Sequence, residues 1–128
     1  MNVNANAAII DLRMLRPEGG FVRMEIVGRL SRDAWPANYD PFVELYGRDV
    51  YSCKVLINLS KANYLDSSGV AWLLSANTRF KENGGFLALH SGSLMTVQFL
   101  KMMRMEQVLR LAPDESAARE LLDGANHA

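Results

Sequence analysis

Short apolar runs alternate with segments of helical periodicity from residue 54 onward, and this alternation restricts the fold more than any other feature. The runs lie at residues 55–59, 86–89 and 108–111. Strands that alternate with helices pair in parallel, because each helix returns the chain across the sheet in a right-handed crossover. This part of the chain is therefore predicted to form a parallel sheet, with helices over residues 70–82, around 95–104 and over 113–122.

The N-terminal part shows a different pattern, in which apolar and polar residues alternate singly. Ile10, Leu12 and Met14 form one such run, and residues 22–26 form another after a turn at 17–20. Two alternating strands joined by a short turn predict an antiparallel hairpin. Residues 31–51 are less regular, with a short helix predicted over 42–46 and a loop over 35–39.

These elements predict an α/β fold: a mixed sheet of four to five strands, an antiparallel hairpin followed by parallel strands, covered by about four helices. A chain of 128 residues holds one core of this size. We assign the domain to residues 8–123 and expect flexible termini at 1–7 and 124–128.

The charge balance argues against nucleic acid and membranes as partners. Fourteen basic residues match fourteen acidic ones, so no strong field attracts polyanions. No apolar run reaches the roughly 18 residues of a membrane span, and no signal peptide is recognisable. The single cysteine, Cys53, excludes an internal disulfide and suits the cytoplasm. We therefore expect a cytoplasmic protein that recognises another protein.

The motifs of common enzymes are missing from the sequence. There is no glycine-rich phosphate loop, and the two histidines, His90 and His127, are too far apart to suggest a metal site. A hydrolase nucleophile at Ser67 would need glycines two residues before and after it, but Leu65 occupies the first of these places. We expect no enzymatic activity, no metal and no cofactor.

The segment from Tyr64 to Val70 is the strongest functional candidate. It joins a predicted buried strand to a predicted helix, and its aspartate and serines are good N-caps. A helix start carries partial positive charge, so an exposed serine there can accept a phosphate without unfolding the helix. For Ser67, the alternative is a purely structural N-cap.

Two further features allow more than one interpretation. Trp72 lies on the side of the predicted helix away from Val70 and Leu74, together with Ser75 and Arg79. It either packs beneath a loop or contributes to an interface, where Trp and Arg are enriched.

The segment of the following predicted helix is rich in methionine. The favoured interpretation is that Met95, Met102, Met103 and Met105 fill the core, and the alternative is that they form a peptide-binding surface.

Several of these segments resemble the STAS domains, the family of bacterial anti-sigma factor antagonists. The resemblance covers most of residues 8–123. It rests on the strand 55–59 leading into Tyr64–Val70, on Asn83–Gly85 with the next strand, on Phe99–Met102 before Val108, and on Gly28–Leu30. The resemblance implies the same α/β fold as the periodicity does.

The resemblance also implies a function. In this family, an anti-sigma factor with serine kinase activity phosphorylates the first serine after the aspartate, which corresponds to Ser67. The unphosphorylated antagonist binds that anti-sigma factor, phosphorylation releases it, and a serine phosphatase restores it. Combining the motif with the helix pattern, we predict that the partner contacts Ser31, Asp66, Ser68, Gly69, Trp72 and Arg79.

The sequence departs from the family pattern at three places. Ser31 stands where an aspartate often follows the Gly-x-Leu, Arg104 stands where a glycine is usual, and residues 35–41 do not have the pattern of a long first helix. The alternative function is a STAS scaffold or accessory subunit of a stress-sensing assembly or transporter, without obligatory phosphorylation. Weak nucleotide binding and the oligomeric state stay open at this point.

Overall fold

The computed structural model describes residues 10–31, 35–36 and 38–125. The expected flexible termini fall outside these residues, except that the last helix extends through Ala125. The elements, in chain order, are β1 Ile10–Met14, β2 Val22–Leu30, α1 Pro41–Tyr46, a 3-10 helix Arg48–Ser52, β3 Lys54–Asn58, β4 Ala62–Leu65, α2 Ser67–Glu82, β5 Phe86–His90, α3 Leu94–Met102, a 3-10 helix Met105–Gln107, β6 Arg110–Ala112 and α4 Glu115–Ala125.

The sheet has the mixed topology that the sequence predicts. Its order is β1-β2-β3-β5-β6, with β1 antiparallel to β2 and the remaining pairs parallel. The carboxyl ends of β3, β4 and β5 therefore point toward one edge of the sheet, where α2 and α3 begin. Ligand and partner sites of parallel α/β sheets collect at this edge.

The strand β4 was predicted as part of a loop, and this detail was wrong. Residues 22–25 of β2 pair with β3, and residues 28–30 pair with β4. Because β2 is nine residues long, its second half would lack a neighbour on this side without β4. The sequence pattern hides this strand, since Asn63 and Tyr64 are both exposed.

Helices cover both faces of the sheet. On one face, α1, α2 and α3 bury Val55, Ile57, Leu87 and Leu89 in the main core. On the other face, α4 places Ala118 and Leu122 over a smaller cluster. Adjacent residues of a strand point to opposite faces, so the central residues of β3 and β5, 55–57 and 87–89, are all apolar. In the described residues, no helix is both long and apolar enough to span a membrane.

A charged network fixes the start of α4 to the sheet. The Arg23 guanidinium donates two hydrogen bonds to the Glu115 carboxylate, at 2.8 and 3.0 Å. Arg119 also donates hydrogen bonds to the Glu115 carboxylate and to the carboxylate of Glu18 in the turn after β1. The hydrogen bond from Arg23 is the main cause that lowers the pKa of Glu115, to about 2.

We expect Glu115→Gln to lower the free energy of unfolding by about 1–2 kcal/mol at pH 7. A carboxylate with a lowered pKa stabilises the fold above its unfolded-state value near 4.5, and this contribution disappears as the pH falls toward 2. The difference between the variant and the natural chain should therefore shrink between pH 4.5 and pH 2 in urea titrations. Asp123→Asn, in an exposed pair with Lys54, is the control. An equal Glu115→Gln effect at pH 7 and pH 2.5 would contradict this assignment.

Arg104 occupies the place where the family pattern has glycine, and its backbone is left-handed, with φ 60° and ψ 31°. A side chain in this conformation costs free energy that glycine avoids. We expect Arg104→Gly to raise the free energy of unfolding by about 0.5–1 kcal/mol. Lys101→Gly in α3, measured in the same denaturation series, should instead lower it by about 1 kcal/mol. If Arg104→Gly instead lowered the free energy of unfolding, the left-handed backbone of Arg104 would not be a source of strain.

Candidate functional site

The loop before α2 is organised by Asp66. Its carboxylate accepts hydrogen bonds from the Ser68 hydroxyl at 2.6 Å and the Gly69 N–H at 2.9 Å. Asp66 is therefore the N-cap of α2, and Ser67 is the first helical residue rather than the cap. The Ser68 hydrogen bond lowers the pKa of Asp66 most, the Gly69 N–H adds to this, and the positive charge of Arg29 contributes. The carboxylate is thus held in its ionised form.

Ser67 is exposed at the start of α2. Its side chain makes no hydrogen bond to the part of the chain that the structure describes. Asp66 caps the helix through the Gly69 N–H, and the Ser68 hydroxyl supports that carboxylate, so the Ser67 hydroxyl is not needed to begin the helix. The position therefore combines accessibility with the favourable dipole of a helix start.

Gly69 allows α2 to approach the sheet closely. A Cβ at this position would lie 2.3 Å from the carbonyl oxygen of Leu30 and 2.9 Å from Cδ1 of Leu65. Gly69 is buried, so its own surface is not presented to a partner. Its structural role is to let the first turn of α2 rest on the ends of β2 and β4.

Ser31 directly follows β2 and lies at the same edge. Leu30 is paired with Leu65 in the β2–β4 register, which places Ser31 beside Asp66 at the strand ends. Ser31 is half-buried. The topology thus brings Ser31 to the serine loop, although Ser31 and Ser67 are 36 positions apart in the sequence.

Trp72 is half-buried within an aromatic cluster. Its ring centroid lies 4.6 Å from that of Trp35 and 5.4 Å from that of Phe42, with the Phe42 and Trp72 planes only 8° apart. Phe42 itself is fully buried against Phe80. The structure therefore shows the packed arrangement for Trp72, and a contact with a partner stays a prediction.

Arg79 joins α2 to the segment before α1. Its guanidinium lies 2.7 Å from Asp40, whose carboxylate also accepts hydrogen bonds from the Phe42 N–H at 3.0 Å and the Tyr51 hydroxyl at 2.6 Å. Burial, and then the bond to Asp40, raises the pKa of Tyr51 to about 12. The short helix was predicted from sequence over 42–46, but the contacts of Asp40 with Tyr51 and Arg79 were not.

A groove of about 720 Å³ runs between the α1 segment and α2. It passes the serine loop at Ser68 and continues to Arg79, so three of the predicted partner-binding residues share one depression. Its lining includes Trp35, Asn38, Tyr39, Asp40, Ser68, Trp72, Ser75 and Arg79.

Two of the methionines predicted to fill the core are instead on the surface. Met95 is 81% exposed and Met102 is 77% exposed. The prediction was wrong for these two because α3 buries the opposite side, with Leu100 in the core. Met103 and Met105 are partly buried against the core, as predicted.

The structure separates Ser67 from His90, the histidine that could serve it as a base. His90 is buried and its Nδ1 lies 2.7 Å from the Ser91 hydroxyl. Burial lowers the pKa of His90. Its side chain shares a strand face with Ala88, under α4, whereas Ser67 opens α2 on the other face. The prediction that the chain is not an enzyme stays a prediction.

Solved structures show the same architecture. An anti-sigma-factor antagonist (STAS) domain protein from Planctomyces limnophilus superposes with a TM-score of 0.59 at 21% identity, covering 88% of this chain and 97% of that one. A candidate anti-sigma factor antagonist from Thermotoga maritima superposes with the same TM-score at 15% identity, covering 79% and 87%. At these identities the likeness concerns the fold.

The sequence itself provides the family assignment. No curated protein matches the sequence significantly. The model of the STAS domain, however, matches residues 19–118. This range includes the strand that ends in Gly28–Leu30, the whole serine loop and the groove. The chain therefore belongs to the STAS domain family.

Proposed function

We propose that this chain is an anti-sigma factor antagonist that acts in the cytoplasm as a phosphorylation-controlled switch. In its unmodified form it binds an anti-sigma factor with serine kinase activity through the loop around Ser67. The observation that carries the proposal is the exposed Ser67 hydroxyl at the start of α2, beside an N-cap that does not depend on it. The family membership and the folds of its structural neighbours support it.

In the proposed reaction the partner supplies the catalysis and ATP supplies the phosphoryl group. The Ser67 oxygen forms a bond to the γ-phosphorus, the bond from that phosphorus to the bridging oxygen breaks, and ADP leaves. The hydroxyl proton passes to a base of the kinase. The antagonist contributes only an accessible acceptor, and a serine phosphatase reverses the modification by hydrolysis.

The phosphate would weaken docking without unfolding the domain. It adds a charge of roughly −1.5 to −2 next to the ionised Asp66 carboxylate. The helix start tolerates this charge. A partner surface complementary to the unmodified loop would meet repulsion and would have to desolvate the phosphate, because like charges pressed together across an interface are unfavourable.

Incubation with the anti-sigma factor kinases of the source organism and ATP, followed by intact mass measurement, tests this proposal. We expect one phosphate on the natural chain, one on Ser75→Ala and none on Ser67→Ala. Ser75 is the matched control, because it is an exposed serine on the same helix. A phosphate retained by Ser67→Ala, or none on the natural chain with any of these kinases, would refute the proposal. Stable co-purification with a transporter or stress-sensing complex would then favour the scaffold function.

A further inference from the structure

An arginine and a tyrosine form a stacked pair beside the serine loop. The Arg29 guanidinium carbon lies 4.4 Å from the centre of the Tyr64 ring. The two residues are partners in the β2–β4 register, and both are exposed. Stacking on an aromatic ring holds the planar guanidinium in a defined orientation and leaves its N–H donors available.

Arg29 differs from the arginines that serve the fold. Arg23, Arg79 and Arg119 each contact a carboxylate, whereas Arg29 forms no ion pair within residues 10–31, 35–36 and 38–125. The positive charge of Arg29 nevertheless acts on Asp66 in the serine loop. The pKa of Asp66 is lowered mainly by the Ser68 hydrogen bond, and Arg29 adds to that effect.

The distances along the chain permit contact with a modified Ser67. Tyr64 and Ser67 are three residues apart, a span of at most about 10 Å. Arg29 and Ser67 are both exposed, and an arginine side chain and a phosphoserine side chain each extend several ångströms from the backbone. The guanidinium fork matches the oxygens of a phosphate, which it can bind through two parallel hydrogen bonds.

We propose that Arg29 binds the phosphate of phosphorylated Ser67 in an intramolecular ion pair, with Tyr64 holding the guanidinium beside the loop. This inference rests on the proposed function, since it concerns the modified state. Phosphorylation would then change the surface twice: it adds negative charge at Ser67 and neutralises the positive charge of Arg29. A partner that uses an acidic side chain to contact Arg29 would lose that contact in the same step.

The test uses the full chain with phosphoserine incorporated at position 67 during translation, so that no kinase is required. The ³¹P chemical shift, followed from pH 4 to 8, reports the second ionisation of the phosphate. We expect the pKa of this group to be higher in Arg29→Gln than in the natural chain by about half a unit or more, because a nearby cation favours the dianion. Lys81→Gln removes a positive charge near the far end of α2 and should leave the pKa unchanged.

Equal phosphate pKa values in the natural chain and Arg29→Gln would overturn the inference. So would an equal rise in Lys81→Gln, which would indicate a general field rather than an ion pair. Failure of this inference and failure of the proposed function are distinguishable: a missing kinase reaction would remove the switch, but the Arg29–phosphate contact would still be measurable in the chain with incorporated phosphoserine. Conversely, a missing contact would leave phosphorylation-controlled docking intact.

Discussion

Replacing Gly69 with alanine should lower the free energy of unfolding by about 2–3 kcal/mol. The added methyl group would lie 2.3 Å from the Leu30 carbonyl oxygen, well inside contact distance. That carbonyl belongs to a residue of β2 that is paired with Leu65, so it cannot turn away without disturbing the sheet. The first turn of α2 would have to move outward, and the loop that presents Ser67 would move with it.

A second glycine provides the control for this prediction. Gly124 lies in α4, and a Cβ added there would have no atom within 4 Å. Gly124→Ala should therefore be neutral, or stabilising by up to about 1 kcal/mol through its better helix propensity. Urea denaturation of both variants measures the difference. Similar stabilities of the two variants would show that the close contact beneath Gly69 does not constrain the helix.

Asp40→Ala, in the groove between the α1 segment and α2, should lower the free energy of unfolding by a similar amount, about 2–3 kcal/mol. Its carboxylate caps α1 through the N–H groups of Phe42 and Val43, at 3.0 and 3.3 Å. The same carboxylate accepts the Tyr51 hydroxyl and pairs with Arg79. Truncation would leave the buried tyrosine without its acceptor, which costs more than the loss of an exposed ion pair.

Two matched variants separate these contributions. Arg79→Gln removes the ion pair with Asp40 and the weaker contacts of the guanidinium with Tyr51, but it leaves the Tyr51–Asp40 hydrogen bond in place. Because the Arg79 side chain is 59% exposed, this variant should cost less than about 1 kcal/mol. Asp40→Asn keeps a capping oxygen and should lie between the two. The chain has two tryptophans, Trp35 and Trp72, with ring centres 4.6 Å apart, so their fluorescence reports whether the segment stays on α2. An Arg79→Gln effect as large as that of Asp40→Ala would contradict this account.

The parts of the fold predicted from sequence are those encoded by local periodicity. Single alternation predicted the β1–β2 hairpin. Runs of consecutive apolar residues predicted β3 and β5, because a strand covered on both faces has no polar side. The strand β4 was missed because its pairing depends on the length of β2, which its own residues do not encode. Met95 and Met102 were misplaced because an apolar side chain does not have to be buried.

In the candidate site, too, the features set by neighbouring residues could be predicted and those that join distant residues could not. The serine loop could be predicted, since a cap and a helix start are properties of neighbouring residues. The groove depends on Asp40 meeting Tyr51 and Arg79, and on Trp35 reaching Trp72, across 11 to 39 positions. Only the folded chain brings these residues together. The stacking of Arg29 on Tyr64 similarly depends on the β2–β4 register.

The central claim is that the charge state of residue 67 decides whether the partner binds. Its most direct test is the dissociation constant between the cognate anti-sigma factor kinase and two forms of the full chain, unmodified and carrying phosphoserine at position 67. Ser67→Ala, which keeps the uncharged loop, should bind like the unmodified chain. We predict binding at least about 30-fold weaker for the phosphorylated form, equivalent to about 2 kcal/mol. Equal dissociation constants for the two forms would contradict the account.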